Sequence, residues 1–161
     1  MTEQHHLSKV AKKLRSISAF NPIPSIHQEI NGAEDAYKIQ KINREKWVSE
    51  GRHETGFKVA FTTPEAQKNF GTNEPVYGCL FADMCFPTDR EIPPGKVARP
   101  KLEGEIALEL GENLTAEKLS DEEISSAVNA FYIALEIPDG SFSGEYDAVD
   151  MIADNAAAAG Y

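Results

Sequence analysis

The sequence predicts an α+β fold, with helices gathered mainly at the N-terminal end and strands dominating the second half. Three observations predict it. Apolar residues recur at helical spacing over residues 3–19, the texture changes to strand-like alternation after Gly56, and two further strand-like runs, 103–110 and 131–137, flank one capped helix. With 161 residues and 41% hydrophobic content, the chain is long enough for one ordinary core and short for two.

The elements follow in order. Leu7, Val10, Ala11, Leu14 and Ile17 line one face of a first helix, with Lys9, Lys12, Lys13 and Arg15 facing elsewhere. Asn21-Pro22-Ile23-Pro24 ends it as an extended connector. A second helix is expected from Asn31, whose side chain can cap, with Glu34 in the capping-box relation, and a stop at Gly51. Phe57–Phe61 alternates like a strand, closed by Thr62-Thr63-Pro64. A helical turn over 64–70 ends at Gly71, and 73–84 reads as loop-rich, with further turns marked by Pro87, Pro93, Pro94 and Pro100. Glu103–Leu110 is a strand closed by Gly111. Ser120-Asp121-Glu122-Glu123 is a capping box opening a helix through Ile124, Ala127 and Val128, and 131–137 is a strand stopped by Pro138-Asp139-Gly140. From Met151 the chain reads as the start of a helix that continues into four alanines, with no evident stop before Tyr161.

Composition excludes several functions. A net charge of -10 repels nucleic acid and anionic lipid, and the longest apolar runs are far too short to span a bilayer. The N-terminal residues lack the basic segment and apolar stretch of a secretory signal, so a cytoplasmic location is expected. Cys79 and Cys85, six residues apart, match no common zinc or redox motif and read as two buried thiols.

The chemistry-bearing residues are mostly carboxylates. In a strand, residues two apart share a face, with backbone positions about 7 Å apart. Glu103, Glu105 and Ala107 therefore share one face, while Ile106, Leu108 and Leu110 are expected to point into a core. Paired acids repel unless something positive lies between them, and a solvated sheet face is the plain alternative. Glu136 interrupts a run that otherwise reads as a strand buried on both faces, where a carboxylate needs an ion pair or a metal. Lys58 or Lys101 could supply the pair. Three acids offering only oxygen suit Mg²⁺ or Mn²⁺, and histidines at 5, 6, 27 and 53, outside the acidic strands, make zinc the poorer match. Lys58 lies in a short, mostly apolar strand, where it either serves as a fixed cation or proton carrier or snorkels to water. Asp83, framed by Leu80, Phe81, Ala82 and Met84, is either functional or a turn residue.

Six segments then occur in order: Asp35-Ala36-Tyr37-Lys38-Ile39-Gln40, Gly56-Phe57-Lys58-Val59-Ala60-Phe61-Thr62-Thr63, Tyr77-Gly78-Cys79-Leu80, Leu102-Glu103-Gly104-Glu105-Ile106-Ala107, Ala134-Leu135-Glu136-Ile137-Pro138-Asp139 and Ile152-Ala153-Asp154-Asn155-Ala156. From about Asn21 to Tyr161 the chain resembles the 2-keto-4-pentenoate hydratase and 4-oxalocrotonate decarboxylase family of the fumarylacetoacetate hydrolase superfamily. The resemblance implies N-terminal helices plus part of a mixed β-roll. On this reading residues 1–72 are an N-terminal helical and α+β region, and 73–161 are the catalytic part of the roll. It implies that Glu103, Glu105 and Glu136 hold Mg²⁺ or Mn²⁺ and that Lys58 and Asp83 line the substrate pocket. The implied reaction is lyase chemistry of aromatic-compound catabolism. A 2-hydroxy-2,4-dienoate is tautomerised, water adds at C4, and a 4-hydroxy-2-oxo acid results.

The metal set does not separate this hydratase from a 2-oxo acid decarboxylase, and a carbon–carbon hydrolase comes third. Where relatives commonly continue Asp-Ser-Arg, this chain has Asp139-Gly140-Ser141-Phe142, and Ala157 stands where many have serine. Both departures bear on substrate handling, not on the metal. Relatives continue with strands absent here, so a truncated form is expected, either active or a non-catalytic subunit. Its partner would be a second copy or a full-length relative meeting an open sheet edge.

Overall fold

A computed structural model describes residues 3–116 and 118–161, so the first two residues of the N-terminal segment lie outside the described residues. The chain divides into two units, Met1–Lys101 with Ile137–Tyr161, and Leu102–Glu136.

The larger unit opens with α1 (Glu3–Arg15), shorter than the helix expected to residue 19. Ser18 bridges Asn21 in an antiparallel contact, which turns the chain out of the helix early. Leu7, Val10, Ala11 and Leu14 are buried on α1, as its spacing predicts, and they pack with Ala36 and Ile39 of α2 (Gly32–Ser49). The N-terminus of α2 departs from expectation. Asn31 makes no side-chain cap; its backbone N–H and its Nδ2 both donate to Asp35 Oδ2, at 3.0 and 3.2 Å. Asp35 therefore takes the part expected of Glu34, one residue on. The Asn31 N–H bond, with Lys38 adding to it, holds the Asp35 carboxyl below its ordinary pKa. Gly51, at φ 95°, lies just beyond the C-cap Glu50.

β1 (Glu54–Ala60) begins before Phe57, and Phe61 at φ 57° ends it. It pairs antiparallel with β2 (Val76–Phe81), which corrects the loop-rich reading of 73–84. Gly78, inside β2, is required for packing: a Cβ there would lie 2.1 Å from the Asn155 carbonyl oxygen. Between the strands, α3 (Pro64–Asn69) is capped by Thr63, whose Oγ1 accepts from Ala66 N–H. A 3-10 turn, Ala82–Met84, follows β2. Cys85, just after it, is exposed, so only Cys79 is the buried thiol expected, and burial pushes that thiol up in pKa.

The C-terminal segment is also a correction. α5 (Ala148–Ala153) starts earlier than the expected Met151 helix and stops before the alanines. Asp147 caps it, with Asp150 completing the capping box. The chain then passes through Asn155, Ala156 and Ala157 at φ 55°, 53° and 55° and enters β5 (Ala158–Gly160). Alanine's helix propensity is a weak prior, and the Asn155 side chain overrides it by bonding to β2.

In the smaller unit, β3 (Glu103–Leu110) and β4 (Val128–Pro138) run antiparallel, with α4 (Asp121–Ser126) between them in sequence. Both halves of the Ser120–Glu123 capping box form. The helix ends before Val128, which is already strand. The last two residues of β4 belong to the larger unit, where Ile137 and Pro138 pair with β5. Ile106, Leu108 and Leu110 are exposed, as are Phe131, Leu135 and Ile133, the last at 96%. This overturns both the core-facing reading of β3 and the doubly buried reading of β4. The cause is that this unit is a two-stranded ribbon with one six-residue helix, too little to cover its apolar face. Among the described residues no helix is long and apolar enough to cross a membrane.

Candidate metal centre and catalytic residues

The β3–β4 register builds the carboxylate cluster. Glu103 stands directly across from Glu136, and Glu105 across from Ala134. Cross-strand partners share a face, as do residues two apart, so all three glutamates emerge from one side of the ribbon. One carboxylate oxygen from each lies within 4.8 Å of the others. Glu103 and Glu105 are exposed, whereas Glu136 is only 5% exposed. On the same face Glu109 accepts a hydrogen bond of 2.7 Å from Tyr132 Oη, which occupies it elsewhere.

Three anions this close are self-repelling unless a cation neutralises them. The donor set fits a hard divalent ion: it is all oxygen, and two of the three carboxylates sit on exposed side chains.

The other two sequence candidates lie in the larger unit. Lys58 is buried on β1, and its Nζ donates to the Ala156 carbonyl at 3.2 Å, so it does not snorkel to water. Asp83 lies in the 3-10 turn after β2. Its Oδ1 accepts from Arg52 Nε and an Arg52 terminal nitrogen, at 3.0 and 2.8 Å. The Arg52 guanidinium is centred 4.1 Å over the Phe81 ring and 5.4 Å from that of Trp47. Asp83 is thus held by a stacked cation, an arrangement the sequence did not suggest.

Sequence reasoning also missed three buried polar groups. Gln40 Nε2 donates to the Tyr77 and Ile152 carbonyls, tying α2 to β2 and α5. Asn155 pairs with both backbone groups of Cys79. Asp150 accepts from Ser25 Oγ, Ile26 N–H and Asp147 N–H. The available signal was a polar residue at an apolar-periodic position, as Asp150 is between Val149 and Met151.

Asp154 follows α5 and accepts from Ser141 N–H at 2.8 Å. Burial pushes its carboxyl up to about 7, and nearby Asp139 and Asp150 add to the rise. The folded pKa then exceeds the unfolded one. Between about pH 4 and 7 the unfolded state releases this proton while the folded state keeps it, so stability falls as pH rises through that window. Asp154→Asn is expected to flatten this dependence, by on the order of 1–3 kcal/mol across the window, measured as urea midpoints at pH 4.5 and 7.5. An unchanged pH dependence would contradict the assignment.

The chain is 33% identical over 165 residues to the 2-keto-4-pentenoate hydratase of Paraburkholderia xenovorans strain LB400, an alignment that takes in all of this chain. The chain is homologous to the 2-keto-4-pentenoate hydratases. This hydratase homologue is also 36% identical, over 149 residues, to the TodF product hydratase of Pseudomonas putida F1, covering 91% of the chain and 55% of the relative. Its fold is that of 4-oxalocrotonate decarboxylase from Pseudomonas putida G7, solved with magnesium and adipate, at a TM-score of 0.91 and 19% identity. That match covers 99% of this chain and 62% of the decarboxylase, so the α+β reading holds for part of that fold. The homologue spans 61% of the length of the Paraburkholderia hydratase. No family model matches it.

Proposed function

We propose that the chain carries the metal site of a lyase that hydrates a 2-hydroxy-2,4-dienoate of the 2-keto-4-pentenoate type, within aromatic-compound catabolism. The observation that carries this reading is the meeting of Glu103, Glu105 and Glu136 within 4.8 Å, in a chain homologous to hydratases. On this reading residues 73–161 carry the metal-binding carboxylates and Asp83, and 1–72 contribute Lys58, in a cytoplasmic protein. The three glutamates hold Mg²⁺ or Mn²⁺. When bound, such an ion supplies Lewis acidity towards the carboxylate and 2-oxo oxygens of the substrate.

Hydration requires protons to move at defined atoms. One leaves the 2-hydroxyl and one reaches C5 in the tautomerisation; water oxygen then adds at C4 and a proton at C3. Lys58 Nζ is assigned to proton movement and Asp83 to orientation. Arg52, paired with Asp83, keeps that carboxylate in a fixed direction.

The test follows the conjugated-dienoate absorbance of 2-hydroxypenta-2,4-dienoate with this chain, in Mg²⁺ or in EDTA. Metal-dependent loss with a five-carbon 4-hydroxy-2-oxo acid as product supports hydration. Release of CO₂ from a 4-oxalocrotonate-type substrate instead supports the decarboxylase reading. Absence of both reactions in folded, metal-loaded protein would contradict an independently active enzyme.

The exposed apolar face carrying Ile106, Leu108, Phe131 and Ile133 favours a second reading, a subunit completed by another copy or a full-length relative. Sizing by light scattering, alone and mixed with such a relative, separates the two.

A further inference from the structure

We propose that Asn155 and Gly78 are positioning residues that hold the Lys58 ammonium in place, an inference resting on the role just assigned to Lys58. Lys58 and Gly78 are cross-strand partners on β1 and β2. The segment after α5 descends onto Gly78 so closely that a Cβ there would lie 2.1 Å from the Asn155 carbonyl oxygen and 2.7 Å from its carbon. Only glycine permits that approach.

Asn155 then fastens the segment. Cys79 N–H donates to Asn155 Oδ1 at 2.7 Å, and Asn155 Nδ2 donates to the Cys79 carbonyl at 2.9 Å, both bonds buried. One amide side chain thereby satisfies a donor and an acceptor of β2, as a neighbouring strand would. The fastened backbone is a strained one. Asn155, Ala156 and Ala157 are three consecutive residues in the left-handed region, and two of them are alanines. Such a run persists only where its surroundings over-determine it, and strain of this kind concentrates at functional sites. Its outcome here is specific. The Ala156 carbonyl comes to Lys58 Nζ at 3.2 Å in a buried contact. The left-handed run, the absent side chain at 78 and the amide at 155 thus converge on the placement of one ammonium group.

The test reads Lys58 directly, without turnover. The intact chain is pulse-labelled with a limiting amount of acetic anhydride, and each lysine is quantified by peptide mass spectrometry. Asn155→Gly leaves the left-handed backbone accessible and removes only the two side-chain bonds. It is expected to raise Lys58 labelling several-fold while Lys38 and Lys101 label as before. Ala157→Gly, which relieves strain but keeps the Asn155 bonds, is expected to leave Lys58 at its original rate. Unchanged Lys58 labelling in folded Asn155→Gly would overturn the proposal, as would a uniform rise at every lysine. If Asn155→Gly does not melt cooperatively, Asn155→Asp decides. It keeps the acceptor for Cys79 N–H and replaces only the donor; a selective rise at Lys58 supports the proposal and none overturns it. Selective labelling with no dienoate turnover in the original chain would sink the reaction assigned to Lys58, not its positioning. Where turnover is present, Asn155→Gly is expected to lower kcat several-fold with little change in KM.

Discussion

Glu136→Gln is expected to weaken Mn²⁺ binding by about 100-fold or more, above the roughly 10–100-fold typical when a residue that merely supports a metal ligand is lost. Glutamine keeps the shape of the side chain and removes its charge, so the change isolates the anion. Glu136 is the nearly buried member of the triad, opposite Glu103 across the ribbon. Its carboxylate is therefore the ligand least able to be replaced by water. Glu103→Gln and Glu105→Gln, on exposed side chains, are expected to weaken binding less than Glu136→Gln, because water can take over their positions. Calorimetric titration with Mn²⁺ checks the order. Equal, small losses at all three positions would mean that the cluster is a solvated acidic face.

The largest stability effect is expected away from the carboxylate triad, at Asp150. Its side chain is 0% exposed and joins the Ser25–Ile26 segment to the start of α5 across more than a hundred residues of sequence. Alanine there leaves the Ile26 N–H and the Ser25 hydroxyl without their acceptor and removes half of the Asp147–Asp150 capping box. The buried Ile26 N–H costs about 1–3 kcal/mol when stranded and the part-buried Ser25 hydroxyl about 1, so the variant is expected to lose roughly 2–4 kcal/mol. At about 2–4 °C per kcal/mol for a chain of this size, the melting midpoint falls by roughly 5–15 °C. Differential scanning calorimetry measures it. A drop within a degree or two would show that Asp150 is not what closes the N-terminal segment onto α5.

The legible parts of this protein were those governed by local pattern. The apolar stripe on α1, the Ser120 capping box and the bounds of β3 follow from spacing and caps, which short-range sterics and hydrogen bonding decide. The carboxylate triad was legible for a related reason. Strand alternation puts Glu103 and Glu105 on one face, and an acid inside an apolar run at 136 calls for a neutralising group. What sequence did not reveal depends on contacts distant along the chain. β2 was hidden because Gly78 reads as a loop residue unless the segment crossing it is known. The end of α5 was hidden because alanines favour helix until Asn155 finds Cys79. The apolar faces of β3 and β4 were misplaced because periodicity shows which residues share a face, not whether anything covers it. Asp83 illustrates the same limit: its framing by apolar residues was visible, and its tie to Arg52 over Phe81 was not.

The claim that the three glutamates form one metal site is tested most directly by titrating the unsubstituted chain with Mn²⁺ and following the free-ion signal by electron paramagnetic resonance. The account predicts one tightly bound ion per chain, displaced by Mg²⁺ and lost in Glu136→Gln. Weak, non-saturating binding that is the same in Glu136→Gln would contradict it.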